Sequence, residues 1–199
     1  MEEKKFGILA SIDWNSNKWQ ESPTKEDLEK IKFGFVEENN KTYTAINFGH
    51  EKYPTDENDY YAGLLPQLFT RTPDKEKSKF VNIVVLKATN WKDNKTYIVG
   101  FYAFPIFEKG KKPSPIESFK EDFETNIKAF PHDIYLLENP IQLHNDNEGR
   151  FLPEGKKLGK QGYNYLTKEN VINILDAMTD KNDFPKLRGT KIRLLESMK

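Results

Sequence analysis

The run FVNIVVLKAT at residues 80–89, the turn Asn90-Trp91-Lys92-Asp93-Asn94 and the run KTYIVGFYAFPIF at residues 95–107 decide the fold. Both runs are dense in β-branched and aromatic residues, which fit a pleated, half-buried surface. The polar residues between them are turn formers, so the pair reads as a central hairpin. Pro105 has no N–H to give a ladder and belongs at an edge or a bulge. Gly100, inside the second run, marks a bulge or a close approach of backbone or ligand. With a period of two, Phe101 and Ala103 share one face, and Tyr102 and Phe104 the other. One ring set is core; the other faces either a pocket or a packed helix.

Working outward, residues 6–12 form a compact apolar strand, which Asp13-Trp14-Asn15-Ser16-Asn17 breaks. Thr24, with Glu26 and Asp27 behind it, caps a helix that turns Leu28 and Ile31 inward and ends near Gly34. Residues 33–38 and 42–48 flank an Asn-rich turn and read as a second hairpin. Residues 59–69 predict a short aromatic helix interrupted at Pro66, and residues 73–79 a charged loop. Ile116, Phe119, Phe123, Ile127 and Phe130 recur every three or four residues, which predicts an amphipathic helix over 114–130, stopped by Pro131. Residues 133–143 read as a strand with a break at Pro140, and 145–162 as a loop. Thr167 caps a helix over 167–178 with Val171, Ile174, Leu175 and Met178 inward, and 184–198 reads as a docked C-terminal helix. Hairpin connections outnumber crossovers. The expected fold is therefore α+β: a curved, barrel-like, mostly antiparallel sheet flanked by helices, in a single domain over 1–199.

The 199 residues hold 31 Lys+Arg against 31 Asp+Glu, so the net charge is zero and a strongly basic, histone-like binder is excluded. Mean hydropathy is −0.80, yet 13% of residues are aromatic. Disordered chains are poor in aromatics, so this reads as a folded domain with an aromatic core and a polar surface. The absence of cysteine removes disulfides and every Cys-containing zinc site. The charged start, with no long apolar stretch after it, predicts a soluble cytoplasmic protein with no membrane partner.

Enzyme signatures are sparse. Gly155-Lys156-Lys157-Leu158-Gly159-Lys160-Gln161 falls short of a phosphate-binding loop: three residues separate the glycines, and Gln161 stands where Ser or Thr would hold magnesium. His50, His132 and His144 have no metal-ligand spacing. No Gly-x-Ser-x-Gly elbow occurs. Asp59, Glu117, Glu121, Asp122 and Glu124 lie on faces read as solvated, with no pair marked for acid–base work. The sequence calls for no catalytic residue, no metal and no cofactor.

Three features point to binding. Trp14, Trp19 and Trp91 fall in or beside polar loops, and each indole is either a lid on the core or a stacking wall for a planar ligand. Asn15 and Asn90 beside them are short groups able to read a base edge. Phe101, Tyr102 and Tyr163 complete the candidate base-binding set. The loop from Gly149 to Tyr163 offers Arg150, Lys156, Lys157 and Lys160 with backbone N–H groups to phosphates, and Lys109, Lys111 and Lys112 form a second basic loop. Together they would make a local positive face on a neutral protein.

Ala88-Thr89, a short turn and Val99-Gly100-Phe101-Tyr102 resemble a segment of N-terminal modules of modification-dependent restriction proteins, with Phe101 where that segment has Trp. Arg150-Phe151-Leu152-Pro153 and Gly159-Lys160-Gln161-Gly162-Tyr163 resemble a downstream segment of the same proteins. The likeness covers residues 80–178 with gaps. The wider resemblance is to the EVE and YTH domains of the PUA-like superfamily, some of which stand before McrB-type GTPases. It implies a curved barrel that holds a flipped, modified base in an aromatic pocket, with double-stranded DNA carrying a methylated base as partner. A GTPase motor domain and a nuclease subunit would be supplied elsewhere, since the chain has no GTPase motif. The expectation is a non-enzymatic reader in a restriction or defence system. The alternatives are a nuclease-type effector using scattered carboxylates with Mg²⁺, and a protein-interaction module.

Overall fold

The computed structural model describes residues 4–30, 42–70, 73, 75–114, 116, 122–157 and 162–199. The chain is α+β. Its main sheet holds β1 (Gly7–Ile12), β3 (Ile83–Asn90), β4 (Lys95–Ala103), β8 (Ile134–Leu143) and β9 (Tyr163–Leu166), in the order β8-β4-β3-β1-β9. Only the β1–β3 pair is parallel; the other three pairings are antiparallel. Two short ribbons pair β2 (Tyr61–Gly63) with β7 (Ile127–Ala129), and β5 (Gly110–Lys112) with β6 (Phe123–Thr125). Among the described residues these strands leave an open sheet with β8 and β9 at its edges, not a closed barrel.

The central hairpin forms as the sequence predicts, and its pleat divides two cores. Leu9, Ile83, Val85, Ile98 and Phe101 face helices α5 (Lys168–Lys181) and α6 (Pro185–Ser197), and meet Val171, Ile174, Leu175, Leu187 and Leu194. Ile8, Ala10, Val84, Leu86, Val99 and Tyr102 face the other way, toward Phe48, Tyr61, Ile127 and Ala129. Ile98 and Phe101 share a face because Val99 is an extra residue in the β3–β4 register. Gly100 follows at once, and a Cβ there would sit 2.2 Å from the Tyr135 carbonyl and 2.5 Å from the Phe48 ring. The glycine thus marks both a bulge and a close backbone approach. Ala103 keeps its face, but Phe104 leaves the strand at φ 48° and packs on the helix side under the Arg193 guanidinium, at 5.2 Å.

Helix α5 is capped by Thr167, whose side chain accepts from the Asn170 N–H. The C-terminal helix docks through Leu187 and Leu194, and through an Arg193–Asp133 ion pair. Asp27 N–H donates to Thr24, the expected cap of α1 (Lys25–Lys30). Pro140 falls within the β8 segment that slips register against β4.

Five expectations fail. The helix over 114–130 is replaced, where described, by β6 and β7. Asn126 between them exchanges hydrogen bonds with the Leu65 backbone, 2.8 Å each way, and holds the segment extended. The helix over 59–69 is β2 followed by the one-turn α2 (Gln67–Thr70). Residues 42–48 hold a 3-10 turn, Tyr43–Ile46, capped by Thr42, and the strand predicted over 33–38 lies outside the described residues. Lys75–Ser78 is a further helical turn, α3, and Asn145–Phe151 is α4, so neither segment is wholly loop. No helix among the described residues is long and apolar enough to cross a membrane.

Candidate functional site

The segment after β1 turns back beneath Trp19, which is 3% exposed. Its indole N–H donates to the Asp13 carbonyl at 2.7 Å, and its ring meets Trp14 and Phe48 edge-on at 5.6 and 6.1 Å. Asn15 spends its side chain on the loop itself: it donates to the Glu21 and Ala45 carbonyls and accepts from Asn17 N–H. Trp91 donates to Asp27, which also accepts from Ser16 and Thr24. Burial alone would raise the Asp27 carboxyl, but hydrogen bonds, Trp91's the largest, hold it below the ordinary value. Asn90 accepts from Lys92 N–H and closes the hairpin turn.

The candidate base-binding residues therefore do not converge on one slot. Phe101 is buried on the helix side, stacked on Tyr135 at 4.7 Å. Tyr102 is buried on the opposite side and donates to the Asn47 carbonyl. Trp14, Trp91 and Tyr163 are half-buried; Trp14 joins Trp19 and Tyr97, and Tyr163 sits edge-on to Tyr165 at 5.5 Å. The physical reason is that an indole beside a strand end covers core and still finds an acceptor for its N–H.

A cavity of about 450 Å³ opens elsewhere, over the two ribbons. Tyr53, Tyr60, Ala62 and Thr125 line it, together with the loop from Glu108 to Pro113. That loop carries Lys109, Lys111 and Lys112, so one of the two predicted basic loops lies on the cavity. Arg150, in α4, and the exposed Lys156 and Lys157 do not line it, and Lys160 lies outside the described residues. Asp56 shapes the rim by accepting from Asn58 and Tyr60 N–H, both at 2.9 Å.

Tyr60 stacks on Phe130 at 4.3 Å, and Phe130 on His132 at 5.3 Å. Lys128 on the rim is held by Glu108 at 2.5 Å and Asp56 at 3.6 Å, and these acids raise its pKa. Lys112 differs: its Nζ donates to the Ala62 carbonyl at 2.6 Å and lies 4.0 Å from the Tyr61 ring centroid. Burial pulls it down to about 8.

Tyr53, Tyr60, Thr125 and Lys128 are site residues that sequence reading missed. Their signal was the alternation in Tyr60-Tyr61-Ala62-Gly63, where Tyr61 is buried and Tyr60 is not. No cluster of three His, Asp or Glu side chains able to hold a metal ion occurs among the described residues. Compared with protein-family models, curated proteins and solved structures, the chain matches none.

Proposed function

We propose that this chain is a DNA-binding reader that takes an extruded, modified base into the cavity beside Tyr53 and Tyr60, while the exposed loop lysines Lys109 and Lys111 meet the phosphate backbone. The observation that carries this reading is the joining of tyrosine rings and Lys109, Lys111 and Lys112 around a single cavity. Its volume lies within the range of small-ligand sites, about 300–1,000 Å³. Base-on-aromatic stacking contributes about 1–3 kcal/mol per base, which offsets much of the few kcal/mol that extrusion costs. Lys111 is exposed at the mouth and suits a phosphate contact. A curved, PUA-like sheet would have the layering seen where the β2–β7 ribbon packs on one face of the main sheet through Tyr61, Ile127 and Ala129. On this reading the chain needs no catalytic group of its own. A GTPase motor and a nuclease would act on the DNA it marks.

The test is a titration of duplexes with and without a methylated base, at several salt concentrations. Tighter binding to the modified duplex, weakening as salt rises, is expected. Equal binding to both duplexes, or binding indifferent to salt, overturns the proposal. Tyr60→Ala is expected to lose the preference for the mark.

A further inference from the structure

An ammonium has three N–H donors and no acceptor. At Lys112 one donor is spent on the Ala62 carbonyl, and the charge rests against the face of Tyr61. The two acids of the same lining, Glu108 and Asp56, both pair with Lys128. Among the described residues no carboxylate pairs with Lys112, and no acceptor takes its two remaining donors. The group nevertheless borders the cavity, largely shielded from water. An unmet donor at the wall of a cavity that also presents Tyr53 and Tyr60 selects a ligand that brings an acceptor, because leaving that donor unpaired on binding forfeits its hydration.

We propose that Lys112 is a specificity-determining residue and that the cavity takes a keto base, with Lys112 donating to the keto oxygen. This rests on the reading of the cavity as a base site. Guanine fits best, since O6 and N7 are adjacent acceptors that a lysine can span. Thymine and uracil offer O4. Adenine and cytosine set an exocyclic amino group at the equivalent position, and its hydrogens face the ammonium.

The experiment uses the full chain and four duplexes that differ only in one bulged base, G, T, A or C, with the unbulged duplex as reference. A good base contact of this kind discriminates by about 5- to 150-fold. The G and T bulges are expected to bind at least tenfold tighter than A and C, and Lys112→Met to bring all four together. The preference of the unaltered chain is informative even if that variant folds poorly. Lys112→Arg, which keeps the donors, is expected to retain part of it.

Four bulges bound alike by the unaltered chain, each above the reference, overturn the keto assignment and leave the base-site reading standing. If Lys112→Met then weakens all four equally, the acceptor is a phosphate oxygen. A preference that survives intact in Lys112→Met also overturns the assignment. Failure of every bulged duplex to bind overturns the keto assignment, and failure of a methylated duplex as well overturns the base-site reading.

Discussion

Asp13→Asn should stabilise the chain at neutral pH, and the gain should be absent in acid. The Asp13 carboxyl is buried at the end of β1, where it accepts from the Thr42 hydroxyl at 2.9 Å. Burial raises its pKa to about 6 from 3.8, and the Thr42 bond opposes only part of that rise. The folded state therefore binds the proton more tightly than the unfolded chain. This stabilisation is complete below the unfolded value near 3.8 and is lost as pH rises through about 6. A shift of about two units corresponds to about 3 kcal/mol, all of it forfeited by pH 7. Asparagine matches the shape without the charge. Urea unfolding of both proteins at pH 4, 5, 6 and 7.5 isolates the effect, since other carboxylates cancel in the difference. The stability difference, variant minus parent, should grow by about 2 to 2.5 kcal/mol across that range, because pH 4 already lies just above the unfolded value. A difference that stays flat with pH, or a carboxyl carbon-13 titration placing Asp13 near 4, would refute the reasoning.

Gly100→Ala should destabilise by more than the roughly 1–3 kcal/mol usual for overpacking, because the new methyl meets a backbone carbonyl at 2.2 Å in the β8 partner; thermal unfolding measures it. Trp91→Phe keeps the ring and deletes the donor to Asp27, so stability should fall by about 1–3 kcal/mol in chemical denaturation. Base preference in the same variant should be unchanged, since that indole borders no part of the cavity. Lys111→Ala should weaken binding to every duplex about equally and flatten the salt slope by about one, read from affinities at three salt concentrations.

The parts of the fold legible in the sequence are those whose signal is local. The central hairpin is long, β-branched and bounded by turn formers. Helix α5 carries its own cap in Thr167 and an unbroken inward stripe from Val171 to Met178. Residues 114–130 misled because spacing of three or four also arises when short strands are joined by a kink: Phe123 and Ile127 are both buried, one in β6 and one in β7. Strands of three residues are too short to display a period. What holds them is remote, as when Asn126 bonds to Leu65, 61 residues away, and Asn47 to the Leu64 backbone. Such side-chain bridges to distant backbone leave no mark in composition.

The same logic separates the two aromatic sets. A ring that serves a ligand needs no internal partner for its polar atom. Trp19 and Trp91 each meet the opposite condition, their N–H groups tied to Asp13 and Asp27 and their rings engaged by neighbours. An indole in a polar loop is readable as exposed only if the loop is taken as solvated, and this loop instead folds down onto Phe48. Tyr60 immediately precedes the three-residue β2, which buries Tyr61, while Tyr60 lines the cavity next to lysines that the sequence did mark as a basic loop. Clustering thus marks three of the cavity's lysines, Lys109, Lys111 and Lys112, but not the isolated Lys128. The rings that would complete the site become visible only once β2 and β7 are paired, because that pairing sets which of two adjacent tyrosines turns outward.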